Sequence, residues 1–405
     1  MYIGSRESET NFGAVYGALN DTVLTYTYIP RDENDRIISL PKAEARLGRN
    51  LRAGRFPALL GQMLQISSIT YHTPSHRLLV TSRHPDHFVC TSTPVFAIDE
   101  HIDSTPSFSN NLVPHRLEYR RAPKGQVNTC VPAPEAASDL IGVLGTSRGI
   151  YMLRHDCTVG LLTPPLSRKG AFMGSPQEKE EHERMSITPA YGGEVFSLDY
   201  LRRNPKEVVV AGGRSNRIDL IDMRAPRDEW AWIQHQSSAA HVKSVGDNEI
   251  LVAGPMSAMS IYDIRYSNKR CSQPSTSTST YPVVTFPEYK NDAHIHHIGL
   301  DVQTDYGVVA AAHDDGRVAL YSLYSGTRLR FMPDIDTQGG GNGLLNDRGT
   351  AAEPQRPPVV KCLMFQTLPG DRHPSLFVGE GSQIKKYSFG VRDDDDNKKG
   401  VATEE

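Results

Sequence analysis

Two lines of sequence decide the fold: VFSLDYLRRNPKEVVVAGGRSNRIDLIDMR at residues 195–224, and HVKSVGDNEILVAGPMSAMSIYDIR at residues 241–265. Each line contains three short runs rich in aliphatic and β-branched residues, separated by turn-forming residues, and this pattern is typical of antiparallel strands. Each line ends on a hydrophobic residue followed by Asp-x-Arg. The spacing between Asp222 and Asp263 falls within the period of roughly 40–45 residues found in repeats that each form one small sheet.

The same hairpin pattern recurs along most of the chain. Six units are recognisable, at residues 61–100, 130–163, 192–230, 235–270, 294–331 and 357–390. The strand-like segment 19–29 could supply a further unit or the strand that closes a ring. Pairing the two ends of the chain would remove unpaired sheet edges. We therefore predict an all-β fold, a β-propeller of seven four-stranded blades, with six or eight blades as alternatives.

The predicted organisation has three parts and several inserts. Residues 1–18 form an N-terminal segment, residues 19–390 the propeller, and residues 391–405 a charged, disordered tail. Segments rich in Pro, Ser, Gly or charge interrupt the repeats, and we predict loop inserts at residues 103–138, 164–190, 271–292 and 333–356. Loops on a rigid scaffold often carry specificity, so the inserts could recognise a target, although linkers have the same composition.

Composition excludes several classes of function. A formal net charge of −3 over 405 residues gives no electrostatic case for nucleic-acid binding. The five cysteines form no Cys-x-x-Cys pair, which favours free thiols in a reducing compartment. No signal peptide or apolar run long enough to cross a membrane is present, so we expect a nuclear or cytoplasmic protein without a membrane partner.

The unit endings resemble WD repeats. Asp314-Asp315-Gly316 followed by Val318-Ala-Leu-Tyr matches the Asp-Gly to Trp-Asp ending of that family, and Tyr262 and Tyr321 stand at the tryptophan position. His241, with His294 or His296, occupies the position of the family's blade-leading histidine. Neither Trp230 nor Trp232 falls at the signature position. The resemblance covers residues 61–390 and implies a WD-repeat type β-propeller, a fold that hosts many unrelated functions.

A narrower resemblance involves the two Asp-x-Arg endings. Their surroundings, AGGRSNRIDLIDMR and SIYDIR, are similar to the WD-repeat substrate receptors of cullin-4 ubiquitin ligases, in particular the fourth cullin-4-associated factor group. In that group the arginines help dock the propeller onto the ligase's propeller adaptor. The resemblance implies that Arg224 and Arg265 contact the adaptor, with Asp222 and Asp263 as local partners. Tryptophan precedes the aspartate in the family's motif, but Ile221 and Tyr262 replace it here.

The residues themselves leave two interpretations of these pairs open. Asp and Arg two positions apart on a strand project to the same side, so a charge pair at the strand end is expected. The guanidinium keeps donors for a partner, and arginine is enriched at binding hot spots. The alternative is that each pair only staples the outer hairpin of its blade.

Other candidate sites have simpler explanations. His294 and His296 would share one face of a strand, but His297 would not, and no cysteine or carboxylate lies at the spacing of a zinc finger. We expect histidine hydrogen bonds within a blade instead of a metal site. Asp314 and Asp315 beside Gly316 predict a tight turn rather than acid–base chemistry. Neither a phosphate loop nor a catalytic Cys–His or Gly-x-Ser-x-Gly arrangement is present. We expect no cofactor, no metal and no enzymatic activity.

The sequence thus predicts a protein–protein interaction platform, a monomer within a complex. The first hypothesis is a substrate receptor of a cullin-4 RING ubiquitin ligase, with an unknown target held on a different face. The alternative is a scaffold subunit of another nuclear or cytosolic assembly, in ribosome maturation, chromatin or trafficking. A propeller hydrolase would need acidic or histidine residues around the channel mouth, and the sequence shows no such cluster.

Overall fold

A computed structural model describes the chain in separate stretches. They cover residues 2–5, 13–19, 22–28, 66–75, 77–83, 88–94, 115–118, 126–134, 140–155, 159–162, 193–205, 207–225, 229–269, 280–331, 359–367, 373–380 and 383–389. The predicted inserts 164–190 and 333–356 and the predicted tail 391–405 lie outside these stretches.

The described strands form seven antiparallel sheets, each built from strands that are close in sequence. The first sheet contains β1 (Tyr2–Ser5), β2 (Gly13–Leu19) and β3 (Thr22–Tyr28). The second contains β4 (Ile66–His72), β5 (Arg77–Arg83), β6 (Phe88–Pro94) and β7 (His115–Glu118). The third contains β8 (Val127–Pro132), β9 (Leu140–Thr146), β10 (Gly149–Arg154) and β11 (Val159–Leu161).

The two lines of sequence that decide the fold build the fourth and fifth sheets. The fourth contains β12 (Val195–Tyr200), β13 (Val208–Gly213), β14 (Arg217–Asp222), β15 (Ala231–Gln234) and β19 (Asn268–Lys269). The fifth contains β16 (His241–Ser244), β17 (Glu249–Ala253), β18 (Met259–Asp263) and β20 (Val284–Thr285). After β18 the chain returns to the fourth sheet, where β19 adds a fifth strand beside β15.

Two sheets complete the array. The sixth contains β21 (Leu300–Gln303), β22 (Val308–Ala312), β23 (Val318–Ser322) and β24 (Arg328–Phe331). The seventh contains β25 (Cys362–Gln366), β26 (Ser375–Glu380) and β27 (Gln383–Ser388). Two short 3-10 helices, Thr73–Ser75 and Ile264–Tyr266, also occur. Five sheets have the four or more strands of a complete blade, so the count of seven complete blades stays a prediction.

The core lies between neighbouring sheets, as in a propeller. One buried cluster joins the fourth and fifth sheets, with Val210 and Ile233 packed against Val252 and Tyr262. Further clusters join the second sheet to the third, the third to the fourth, the fifth to the sixth, and the sixth to the seventh. The first strands of successive sheets also pack together, β4 on β8, β8 on β12, and β12 on β16. These strands therefore line the centre of the array.

Described strands fall within three segments that were predicted to lie outside the blades. β2 and β3 form one hairpin, so the first sheet begins before residue 19, within the predicted N-terminal segment. The predicted insert 103–138 contains β7, which pairs with β6, and β8, which pairs with β9. The end of the predicted insert 271–292 contains β20, and Phe286 and Tyr289 there are buried against the sixth sheet.

Candidate partner-binding site

The two Asp-x-Arg motifs occupy equivalent positions in neighbouring sheets. Asp222 is the last residue of β14 and lies opposite Val208, the first residue of β13. Asp263 is the last residue of β18 and lies opposite Glu249, the first residue of β17. Each arginine therefore follows the point where the third strand of its sheet ends.

In the second motif the aspartate is buried and the arginine is exposed. The Asp263 side chain is 6% exposed, whereas that of Arg265 is 63% exposed. Asp263 Oδ1 accepts a hydrogen bond from the backbone N–H of Arg265 at 2.9 Å and so caps the helix Ile264–Tyr266. Arg265 Nε donates to both carboxylate oxygens at 3.0 Å. These bonds from Arg265 hold the pKa of Asp263 below its usual value.

In the first motif two carboxylates hold the arginine. Arg224 donates from Nε to Asp222 Oδ1 at 3.1 Å and from Nη2 to Asp222 Oδ2 at 3.0 Å. Its Nη1 lies 2.6 Å from Glu207 Oε2. Partial burial would raise the pKa of Asp222, but the hydrogen bonds from Arg224 outweigh it and hold the pKa below its usual value. The Arg224 side chain is 59% exposed despite these contacts.

Both motifs lie on one rim, which we call the motif rim: residues 201–205, 207, 222–225, 245–249 and 263–267. Arg203, in the same connection as Glu207, donates from Nη1 to Asn248 Oδ1 at 3.0 Å. The Asn248 carbonyl in turn accepts from the backbone N–H of Ile264 at 2.8 Å, between Asp263 and Arg265. A continuous set of contacts therefore joins the two motifs at the same end of their sheets.

Trp230 braces the first motif, a role that the sequence analysis did not assign. Its side chain is 1% exposed, and its Nε1 donates to the carbonyls of Asp222 at 3.0 Å and Ala225 at 3.1 Å. The indole therefore fixes the turn that carries Arg224. The sequence could have indicated this role, because Trp230 lies between two predicted strands and the chain contains two tryptophans.

Exposed tyrosines occur at the same end of the sheets. Tyr266 follows Arg265 and is 73% exposed. Tyr306 and Tyr324, also exposed, lie in the turns after β21 and β23, the strands equivalent to β16 and β18. The Tyr324 ring lies over Gly307, whose φ of 62° suits glycine. Aromatic side chains are enriched at protein interfaces, so this end of the molecule suits a protein partner.

Three histidines make hydrogen bonds that link different parts of the array. His235 contacts Tyr262, with 2.9 Å between Nδ1 and the phenol oxygen. His241 Nε2 lies 2.6 Å from the Ile298 carbonyl, at the start of the next sheet. His297 Nδ1 accepts from Arg83 Nη2 at 3.0 Å, so its bond crosses between sheets. The expectation that the histidines at 294, 296 and 297 bond within one blade is therefore wrong for His297.

The Arg83–His297 contact belongs to a group at the opposite end of the sheets. Arg83 ends β5 in the second sheet, whereas His297 precedes β21 in the sixth, so the contact crosses the centre of the array. The Phe196 ring, at the start of β12, lies 4.7 Å from the His296 ring, between centroids. We call this group the mouth cluster: Arg83, Glu194, Phe196, Arg214, His296, His297 and Lys361. The sequence analysis expected no histidine or acidic cluster at a channel mouth.

The turn at Asp314–Gly316 forms as predicted. Gly316 has a φ of 84°, and Asp315 Oδ1 accepts from the backbone N–H of Arg317 at 3.0 Å. Within the described stretches, no group of three histidine, cysteine or acidic residues is arranged to hold a metal ion. The same stretches contain no helix with the length and apolar character needed to cross a membrane.

Sequence comparison with known proteins gives no assignment. No protein-family model matches the chain. No curated protein matches it either.

Solved structures, in contrast, resemble it over almost its whole length. The WD40 β-propeller domain of Doa1 has a TM-score of 0.54 at 10% identity, and the match covers 94% of this chain and 90% of that one. The β-propeller domain of Cps50 (Swd1) from Myceliophteria thermophila has a TM-score of 0.51 at 11% identity, covering 96% and 95%. Identities this low establish the fold and not the function. The chain therefore has the all-β fold of a WD40 β-propeller.

Proposed function

We propose that this propeller is a protein-interaction platform and, more specifically, a substrate receptor that docks on the propeller adaptor of a cullin-4 ubiquitin ligase. The observation that carries the proposal is the placement of Arg224 and Arg265 on one continuous rim of neighbouring sheets. The two motifs occupy equivalent positions in neighbouring sheets, so both arginines face one surface, as two contacts for a single partner must.

Exposure and charge support a docking role for the arginines. Both arginine side chains are more than half exposed, although each guanidinium is oriented by a carboxylate. An oriented arginine loses less side-chain freedom on binding than a mobile one, and its remaining donors suit carbonyls or carboxylates of a partner. Tyr266, Tyr306 and Tyr324 would extend the contact with apolar surface at the same end.

The two arginines are not equivalent. Arg224 is shared between Asp222 and Glu207, whereas within the described part of the chain Arg265 pairs with the carboxylate of Asp263. A partner that binds Arg224 Nη1 must displace Glu207, and this competition lowers the gain from binding. We therefore expect Arg265 to contribute more to docking than Arg224.

An affinity pulldown from the native cell tests the proposal. The arms are wild type, Arg224→Ala, Arg265→Ala and the double variant. We expect wild type to recover the cullin-4 adaptor, Arg265→Ala to recover less than Arg224→Ala, and the double variant to lose binding by about tenfold or more. Circular dichroism shows whether each variant is folded.

Arg317→Ala is the matched control. Arg317 also belongs to an Asp-x-Arg sequence and is also 63% exposed, but it lies in the turn between β22 and β23, at the other end of its sheet. The control should bind as wild type does. If wild type does not recover the adaptor, the pairs are blade staples, and the proteins that co-purify define a different scaffold assembly.

A further inference from the structure

The mouth cluster has an excess of positive charge. Arg83, Arg214 and Lys361 contribute three cations, and Glu194 is the carboxylate that faces them within the described residues. Burial, with the Arg83 charge beside it, lowers the pKa of His297 to about 4. Burial and the Arg214 charge lower that of His296 as well. Both histidines are therefore neutral near pH 7, and an anion would be attracted to the arginines.

Two buried polar atoms of the cluster lack a hydrogen-bond partner within the described stretches. They are Nε of Arg83 and Nδ1 of His296. Buried polar atoms in folded proteins are nearly always hydrogen-bonded, so an exception can indicate the position of a ligand atom. Arg83 also donates from Nη2 to His297 Nδ1, at 3.0 Å, across the centre of the array. An acceptor bound in the mouth would satisfy Arg83 Nε.

Phe196 gives the cluster an apolar wall beside these charges. The Arg214 guanidinium lies over the Phe196 ring, 5.9 Å from its centroid, and also donates from Nε to Glu194 Oε2 at 2.8 Å. The Arg214 side chain is nevertheless 71% exposed. The arginine is thus oriented on one side and open to solvent on the other.

The loop that presents the histidines is held firmly. Asn291 is fully buried, accepts from the backbone N–H of Ile295 at 2.9 Å and donates to the Ile295 carbonyl at 2.8 Å. The backbone N–H of Ala293 donates to Asp314 Oδ2 at 2.8 Å. His294, between these anchors, has a φ of 56°, a left-handed conformation that costs energy outside glycine. A site held in this way binds without a large ordering cost.

We propose that the mouth cluster binds an acidic peptide segment of a partner protein. A glutamate or aspartate carboxylate would lie between Arg83 and Arg214, and a neighbouring apolar side chain would pack on Phe196. The Arg83 fork matches the geometry of a carboxylate. Nε and Nη2 of Arg214 already contact Glu194 Oε2, so the incoming carboxylate would bind Arg214 through Nη1 and share it with Glu194. Glu194 already neutralises part of the positive charge and would repel the dianion of a phosphate more strongly than a single carboxylate. The site lies at the opposite end from the motif rim, so it does not depend on adaptor docking.

Fluorescence anisotropy with the purified full chain tests this site. The probe is a short fluorescein-labelled peptide of alternating glutamate and leucine, and the matched probe carries glutamine in place of glutamate. We expect the glutamate peptide to bind about tenfold more tightly than the glutamine peptide. Equal binding of the two peptides would overturn the proposal.

Two variants assign the binding to the cluster. Arg214→Gln should weaken binding of the glutamate peptide about tenfold, and Arg83→Lys should weaken it as well, because lysine keeps the charge but loses the fork. Arg317→Gln, an exposed arginine in the equivalent turn of the sixth sheet, should leave it unchanged. If folded Arg214→Gln binds as wild type does, the proposal fails.

The same assay distinguishes an acidic peptide from ligands that carry phosphate. A phosphoserine peptide or a single-stranded RNA of matched length that binds more tightly than the glutamate peptide would contradict an acidic-peptide site and assign the mouth to phosphate.

Discussion

At the scale of single residues, His235 is a buried polar side chain whose Nδ1 has a hydrogen-bond partner. The side chain is 2% exposed and contacts the hydroxyl of Tyr262, which occupies the position expected for a tryptophan. A buried histidine with a hydroxyl partner needs to be neutral, because charging it would require desolvation of an imidazolium. Burial accordingly lowers the pKa of His235 to about 4.

This pKa predicts a pH-dependent stability. The unfolded chain takes up a proton on this histidine below about pH 6.5, whereas the folded chain does so near pH 4. The contribution of His235 to stability is therefore present above pH 6.5 and is lost as the pH falls from 6.5 towards 4. The slope is at most about 1.4 kcal/mol per pH unit.

The variant His235→Asn can keep a hydrogen bond to Tyr262 but cannot titrate in this range. Urea unfolding between pH 7.5 and pH 4.5 should show a shallower loss of stability for the variant than for wild type. Equal slopes for the two proteins would contradict the assigned role of His235.

At the scale of elements, the turn after β14 depends on a residue outside the Asp-x-Arg motif. Trp230 belongs to the core between the third and fourth sheets and also bonds to the carbonyls of Asp222 and Ala225. The orientation of Arg224 is therefore tied to the core packing.

Trp230→Phe keeps an aromatic ring in the core but removes the N–H donor. We expect a loss of roughly 1–3 kcal/mol in the free energy of unfolding, because two carbonyls lose their donor and the smaller ring leaves space. Urea unfolding followed by circular dichroism measures it. Trp232→Phe should cost less, because the partly buried Trp232 ring contacts the Arg217 guanidinium, with 4.8 Å between Cζ and the ring centroid. The opposite order would show that Trp230 is not the brace.

The strands were predictable where a strong local pattern exists. The alternating runs of β12–β14 and β16–β18 were identified from residues 195–265, and so was the turn at Gly316, because the signals are local in sequence. β7, β8 and β20 lie in segments rich in Pro, Ser or Asn, and they pair because existing strand edges need partners. Pairing of this kind is a tertiary effect that local composition does not reveal.

The candidate sites likewise differ in whether their residues are close together in the sequence. Asp222, Arg224, Asp263 and Arg265 were identified from the motif, and the predicted Asp–Arg pairs form. The mouth cluster was missed because Arg83 and His297 are far apart in sequence and meet only when the sheets surround a common centre. Glu207 was missed for a related reason, since its contact with Arg224 depends on strand register.

At the scale of the whole molecule, the propeller presents two chemically different ends. The motif rim offers oriented arginines with exposed tyrosines, whereas the mouth cluster offers basic side chains beside the Phe196 ring. A receptor that joins a ligase to a target needs two separate surfaces, and this arrangement would provide them. Whether the motif rim is the docking surface is therefore the central question.

Docking through the motif rim is tested most directly by hydrogen–deuterium exchange of the chain, alone and mixed with the purified cullin-4 adaptor. The account predicts slower exchange in the peptides that cover residues 222–225 and 263–267 when the adaptor is present. Peptides covering 213–217 and 313–317, at the opposite end, should exchange at the same rate in both samples. No protection at all, or protection confined to that opposite end, would contradict docking through Arg224 and Arg265.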